Sequence, residues 1–170
     1  MKIDVSIEGL SPGLLMNRYT ENSSDQVEET AYKTEEGKLY QPAEHILRAM
    51  AIAASTFRPD GGKPRRSYAK VFGSGLVQIE PSEIIHKNQA WIVDSRPVKG
   101  KPKKKILRRR VRLPNWELDF TIVVGDGLTP EIIKNVLEKA GYYVGIGDFR
   151  PQRKGPFGRF KITRFELAVQ

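Results

Sequence analysis

Trp116–Gly141 reads WELDFTIVVGDGLTPEIIKNVLEKAG. Trp116, Leu118, Phe120, Ile122 and Val124 fall on one side of an alternating pattern, which predicts a half-buried strand over Trp116–Gly125. Asp126–Leu128 then turns the chain. Thr129, Pro130 and Glu131 supply an N-cap, a proline at the first helical position and an acid in the first turn. Ile132, Ile133, Val136, Leu137 and Ala140 share one side of the helix that follows, and Gly141 is expected to cap its C-terminus.

The N-terminal end supplies a second strand. In Lys2–Glu8, Ile3, Val5 and Ile7 alternate with Lys2, Asp4, Ser6 and Glu8. GLSPG at Gly9–Gly13 turns the chain into Leu14–Tyr19, and a polar loop is expected over 20–30. Ala31–Gln41 reads as a short hairpin around Glu36-Gly37, and Pro42 suits the first turn of a helix. Ala43, Ile46, Leu47, Met50, Ala54 and Phe57 form one apolar stripe along that helix, which is expected to stop near Arg58–Gly62. Strands follow at Leu76–Glu80, Ala90–Val98 and Lys104–Leu113, and a last one over Phe160–Val169 closes the chain.

Condensed, the order is strand, helix, a group of strands, helix, strand. It predicts a single α+β domain over 1–170 with a ferredoxin-like, RRM-like βαββαβ core. The expected core strands are Lys2–Glu8, one strand from 76–98, Trp116–Gly125 and Phe160–Val169. A basic, β-rich insertion would occupy 96–112. No repeat of the solenoid kind is present.

The composition fits such a domain: 170 residues, 39% hydrophobic and 29% charged. No apolar run approaches the roughly 20 residues a bilayer requires, and the start, MKIDVSIEG, is no signal peptide. The expectation is a cytoplasmic protein without membrane contact. Cysteine is absent, which removes disulfides, thiolate catalysis and thiolate zinc sites, and the two histidines rule out an all-histidine metal site. Neither metal nor cofactor is expected.

The formal charge of +9 points to a polyanion. It is segregated: Glu21–Glu44 carries seven acids against Lys33 and Lys38, whereas Arg96–Arg112 carries ten bases and no acid. A one-signed run repels itself unless solvated or neutralised by an anion, and phosphate is the anion such runs meet most often. The residues expected to contact phosphates there are Arg96, Lys99, Lys101, Lys103, Lys104, Lys105, Arg108, Arg109, Arg110 and Arg112.

A second basic stretch, GIGDFRPQRKGPFGRF at Gly145–Phe160, sets Gly145, Gly147, Gly155 and Gly158 among Arg150, Arg153, Lys154 and Arg159. Glycines let a partner approach the backbone while the cations supply charge. A turn-rich surface loop has the same composition, and the spacing does not choose between the two. Lys154–Ile162 is similar to the aromatic RNP1 motif of RNA-recognition domains, with Pro156 intruding. Phe157 is therefore a candidate for stacking on a base, although Phe149, Phe157 and Phe160 each suit the core at least as well.

His45, near the start of the first helix, is a weak candidate acid or base, and His86 falls in a loop. Neither has a catalytic partner close in sequence. Asp94 and Asp148, each beside an arginine, read as salt-bridge partners that shape loops.

GLSPGLL after the first strand, GKLYQPAEHILRAMAIAA with its Leu47-Arg48 pair, and the late glycine-rich loop together resemble the RAMP superfamily of CRISPR-associated proteins, in particular the Cas7-like backbone subunits. Ala43-Glu44-His45 stands where that family usually has Gly-Ser-Ser. The resemblance implies an RRM-like fold that holds single-stranded nucleic acid, RNA rather than DNA, by its backbone, in some cases as a multimer or within a ribonucleoprotein. A virus-encoded relative would share these features.

Three functions follow as expectations. The first is sequence-nonspecific binding of single-stranded RNA or DNA through the sheet, the glycine-rich loop and the basic insertion. The second is metal-independent RNA cleavage, with His45 as acid or base and Arg48 or Lys70 on the phosphate. The third is an assembly subunit whose basic run docks on acidic protein, with Glu21–Glu44 as a self-complementary surface.

Overall fold

The computed structural model describes residues 1–20, 26–55, 68–100 and 105–169. It is a mixed α+β structure with antiparallel sheets. In chain order the elements are β1 (Lys2–Gly9), β2 (Leu14–Leu15), β3 (Tyr40–Pro42), α1 (Ala43–Ala54), α2 (Ala69–Gly73), β4 (Val77–Glu80) and β5 (Glu83–Ile85). They continue with β6 (Ile92–Lys99), β7 (Lys105–Leu113), β8 (Glu117–Val124), α3 (Pro130–Lys139) and β9 (Phe160–Leu167).

The central sheet runs β4-β8-β1-β9. Its inner face is set by the alternation of β1 and β8, whose register places Val5 opposite Phe120 and Ile3 opposite Ile122. These residues, with Leu118, Val77 and Ile79, form one core with Ile46, Met50 and Ala53 of α1 and Ile133, Val136 and Leu137 of α3. Both helices are amphipathic and cover the same side of the sheet. Lys2, Asp4, Ser6 and Glu8 of β1 face the other way, beside Glu117, Asp119 and Thr121 of β8. That uncovered face is an ionic lattice, with Lys2 on Glu80, Lys87 on Glu117 and Asp119, Lys161 on Glu8, and Arg164 on Asp4 and Glu166.

The second sheet, β2-β7-β6, is a long hairpin rooted on the core. Its strands pair from Ile92 opposite Arg112 to Lys99 opposite Lys105. Two-residue β2 clamps the base by pairing Leu14 with Leu113 and Leu15 with Arg112. Val111 and Leu113 are buried there, while Ile106 and Leu107 near the far end are 52% and 65% exposed. The described part of the basic stretch 96–112 lies on this hairpin; Lys101, Lys103 and Lys104 lie outside the described residues.

Two local expectations change. The polar loop expected over 20–30 is in part built into the structure: Val27–Thr30 is a 3-10 turn, and the buried Thr30 hydroxyl accepts from Val111 N at 2.9 Å. Its residues 21–25 lie outside the described residues, as do Phe57 and the predicted stop at Arg58–Gly62. Gly141 is not the cap of α3. The helix widens into a π turn, Ala140–Val144, and ends at Gly145, whose φ of 71° allows its N–H to reach Ala140 O at 2.8 Å. Gly141 instead lets the turn press on Phe160, because a Cβ there would overlap the Phe160 carbonyl oxygen.

Candidate nucleic-acid interface

The glycine-rich loop folds back against β2 and the base of the hairpin. Asp148 N donates to Leu15 O at 2.9 Å, Gly158 N to Gly13 O at 2.8 Å and Ile146 N to Gly158 O at 3.1 Å. Gly147 and Gly158 have positive φ, and a Cβ at either would overlap a carbonyl oxygen, Leu15 at the first and Ile146 at the second. Gly145 and Gly155 are similarly close to Pro151 and Phe149. The absence of side chains at these four positions therefore serves backbone packing.

This packing brings the loop and the hairpin together. Arg96, Val98 and Arg110 of the hairpin and Asp148, Phe149, Arg150 and Arg153 of the loop line one cleft of about 430 Å³. Side chains alternate across the hairpin, so Asp94 with Arg110 and Arg96 with Arg108 share a face, while Ser95 with Arg109 and Lys99 with Lys105 share the opposite one.

The expected phosphate contacts divide by environment. Arg110 is 3% exposed and is held by carboxylates, with Nη1 2.5 Å from Asp148 Oδ2 and Nη2 4.0 Å from Asp94 Oδ2. Arg96 makes a two-pronged contact with Asp94, Nε to Oδ2 at 2.8 Å and Nη2 to Oδ1 at 2.9 Å. Arg112 Nε donates to Pro12 O at 2.8 Å. Arg110 and Arg112 tie the hairpin to the body by these contacts, whereas Arg96 pairs within β6 and meets the loop over the Phe149 and Phe157 rings. Lys99, Lys105, Arg108, Arg109, Arg153 and Lys154 are exposed. Arg150 is half-buried, its Nη1 donating to Gly147 O at 2.9 Å and its Nε to Gln152 Oε1 at 3.0 Å. Arg159 lies apart from the cleft, its guanidinium 4.3 Å from the Tyr142 ring centroid.

Phe157 is corrected as a stacking residue. It is 2% exposed, with the Arg96 and Arg112 guanidinium groups 4.8 and 5.5 Å from its ring centroid. No base can reach a ring covered in this way. Phe160 is buried as well, and Phe149 lines the cleft. Tyr19 carries no sequence signal as a site residue, yet it donates its hydroxyl proton to Asp148 and lies 5.1 Å from the Arg108 guanidinium.

The carboxylates are set for this role. The hydrogen bond from Arg96 holds Asp94 below the usual carboxylate range against the cost of burial. Burial raises Asp148, but the hydrogen bonds from Tyr19 and Arg110 outweigh it and the net shift is downward. Both acids read from sequence as salt-bridge partners do pair with arginines, but Asp94 does so within strand β6 rather than in a loop, and the partner of Asp148 is Arg110, far away in sequence, rather than Arg150.

Behind the loop lies a second, smaller cavity of about 70 Å³ that includes His45 and Arg48 of α1 and Arg150. His45 Nδ1 is 2.8 Å from Gln41 Nε2, and Gln41 Oε1 is 3.2 Å from Nε2 of His86, which is 1% exposed. Burial lowers the His45 pKa, Arg48 and Arg150 lower it further, and Glu44 opposes them. Burial alone pushes His86 down to about 4. Gln41, four residues before His45 at the helix entry, is the sequence signal for this arrangement, although only the fold brings in His86.

Among the described residues, no cluster of three or more histidine, aspartate or glutamate side chains is placed to hold a metal, and no helix is long and apolar enough to cross a membrane.

No family model matches the chain, and no curated protein matches it in sequence. Forty-seven chains of solved structures are similar to it. One is a chain in the cryo-EM structure of the Type III-B Cmr-β complex bound to cognate target RNA, with a TM-score of 0.63 and 12% identity. The match covers 97% of this chain and 59% of that one, so this chain spans about three fifths of its neighbour's length. The likeness is one of fold: almost all of this α+β chain has a counterpart in a chain of that structure.

Proposed function

We propose that the chain binds single-stranded nucleic acid, RNA in preference to DNA, through the phosphate backbone and with little regard to sequence. The observation that carries this reading is the cleft between the β6–β7 hairpin and the glycine-rich loop, flanked by exposed cations on both walls. Arg108 stands on the cleft face of the hairpin, with Lys99, Lys105 and Arg109 on its opposite face, and Arg153 and Lys154 stand on the loop. Asp94 and Asp148 are already engaged by Arg96 and Arg110, so they do not neutralise these cations. The uncovered face of the sheet is a poor platform for bases: the described side chains on it are chiefly paired charges, without aromatic rings.

The preference for RNA rests on the likeness to a chain of an RNA-bound Cmr complex. The strand order β4-β8-β1-β9, with α1 and α3 on one face, supports reading the core as the ferredoxin-like, RRM-like arrangement of Cas7-like RAMP proteins. In that reading β6 and β7 are an insertion in a single domain. Work within a ribonucleoprotein, or as several copies along one strand, is the partner expectation that goes with it.

The test is fluorescence anisotropy with labelled single-stranded RNA, single-stranded DNA and duplex DNA across a salt series. The expected result is tightest binding to single-stranded RNA. Its log Kd should rise with log salt at about 0.7 per phosphate contacted. Arg108→Ala with Arg153→Ala should weaken it and flatten the slope. Affinity that stays constant across a tenfold rise in salt would overturn the proposal.

A further inference from the structure

The small cavity between α1 and the glycine-rich loop has the chemistry of an anion site. Arg48 from the helix and Arg150 from the loop line it together with His45, Asn17 and Gly145–Gly147. Among the described residues neither Arg48 nor Arg150 pairs with a carboxylate. The groups that bear on His45 are Glu44 and Arg48 from its own helix, Arg150 from the loop, Gln41 and the edge of the Tyr32 ring. The cations outnumber the one acid. Burial, with the neighbouring cations Arg153 and Arg48, lowers the Arg150 pKa against the opposing carboxylate of Asp148, so the Arg150 charge is poorly solvated.

The hydrogen-bond chain behind the cavity fixes what His45 presents to it. His86 Nδ1 is buried without a partner, so its single proton belongs on Nε2, where it is donated to Gln41 Oε1. That leaves the Gln41 amide N–H to donate to His45 Nδ1. His45 Nδ1 is therefore an acceptor, and the imidazole proton sits on Nε2. The cavity thus combines an imidazole N–H, an amide and two guanidinium groups, all able to donate. At about 70 Å³ it admits an oxyanion group and excludes a nucleobase.

We propose that this cavity is a phosphate-binding pocket, distinct from the open cleft, in which Arg48, Arg150 and the Nε2–H of His45 hold the oxygens of one phosphate group. A phosphate at the end of a strand and one within it offer the same oxyanion chemistry. Because the pocket opens beside Arg150, which also lines the cleft, either is within reach of a strand lying there.

Two histidines give the test an internal control. The imidazole resonances of His45 and His86 would be followed by NMR while inorganic phosphate is added to tens of millimolar. The expected result is a saturable shift of His45, a rise in its midpoint on pH titration because an anion favours imidazolium, and no movement of His86. Arg48→Gln, an exposed substitution that leaves the cleft intact, should weaken phosphate binding about tenfold, the loss of one charge-assisted hydrogen bond.

Strands carrying a 5′-phosphate, a 3′-phosphate or neither then identify the source. Tighter binding of one phosphorylated end, lost in Arg48→Gln, assigns the pocket to that end. Equal weakening of all three by Arg48→Gln assigns it to an internal phosphodiester. A silent His45 with His86 in its native position overturns the pocket even if strands still bind, as does a phosphate shift that Arg48→Gln leaves intact. Phosphate binding without strand binding overturns the open cleft and leaves the pocket standing.

Discussion

Arg110 and Arg109 are neighbours in a run of three arginines, yet they do opposite work. Arg110 points toward Asp94 and Asp148 and is buried, whereas Arg109 points to the other face of the hairpin and is exposed. Removing a partner from a buried ion pair leaves the other charge unsolvated, at about 3–5 kcal/mol. Arg110→Ala should therefore lower the urea midpoint of unfolding substantially, while Arg109→Ala should change stability by less than about 0.5 kcal/mol. His86 sets a pH dependence of its own. It binds a proton near pH 6.5 in the unfolded chain but only near 4 in the folded one, so the unfolded state takes up more protons between those values. Stability should fall by about 3 kcal/mol as pH drops through that window. Urea unfolding at a series of pH values checks it, and a wild-type slope no steeper than that of His86→Gln would refute it. Below the usual carboxylate range the depressed pKa values of Asp94 and Asp148 should add a further loss as those acids become protonated.

At the scale of elements, the glycine-rich loop is packed closely against β2 and the turn before it. Gly158 has a φ of 80° and no room for a methyl beside Ile146 O; Gly37, with a φ of 84°, has nothing within 4 Å of where one would sit. Gly37→Ala should cost about 1 kcal/mol for its backbone conformation alone, and Gly158→Ala more than about 2 kcal/mol because packing is broken too. Comparing their thermal midpoints separates the two causes. Equal losses would mean that the loop gives way at no cost.

At the scale of the molecule, charge is sorted by surface. The uncovered face of the central sheet pairs its acids and bases with one another, and the hairpin and loop carry the unpaired cations. Lys161→Ala, on the sheet, should leave RNA affinity within about twofold and the salt slope unchanged, whereas Arg153→Ala should reduce the slope by about 0.7, one single-strand phosphate contact. A larger effect at Lys161 would move the interface to the sheet.

The elements were legible in the sequence because each is set by short-range periodicity. Alternation along Lys2–Glu8 and Trp116–Gly125 marks strands, the stripe from Ala43 to Ala54 marks a helix, and Thr129-Pro130 marks a helix start. The net charge and its concentration in Arg96–Arg112 were equally plain, since a count needs no fold. What each cation does was not legible, because it depends on partners far apart in the chain. Arg110 meets Asp148 only when the glycine-rich loop packs on the hairpin. Phe157 is covered by arginines from β6 and β7, and His45 joins His86 only through Gln41 in the folded core. Gly141 was misjudged for a related reason: glycine at a helix end usually marks a cap, but the close approach of Phe160 made it a packing position and carried the helix on to Gly145. The sequence by itself determined the elements and the sign of the surface charge. The tertiary structure alone decided which of those charges are neutralised within the protein and which remain for a partner, because burial and ion pairing are properties of residues brought together through space.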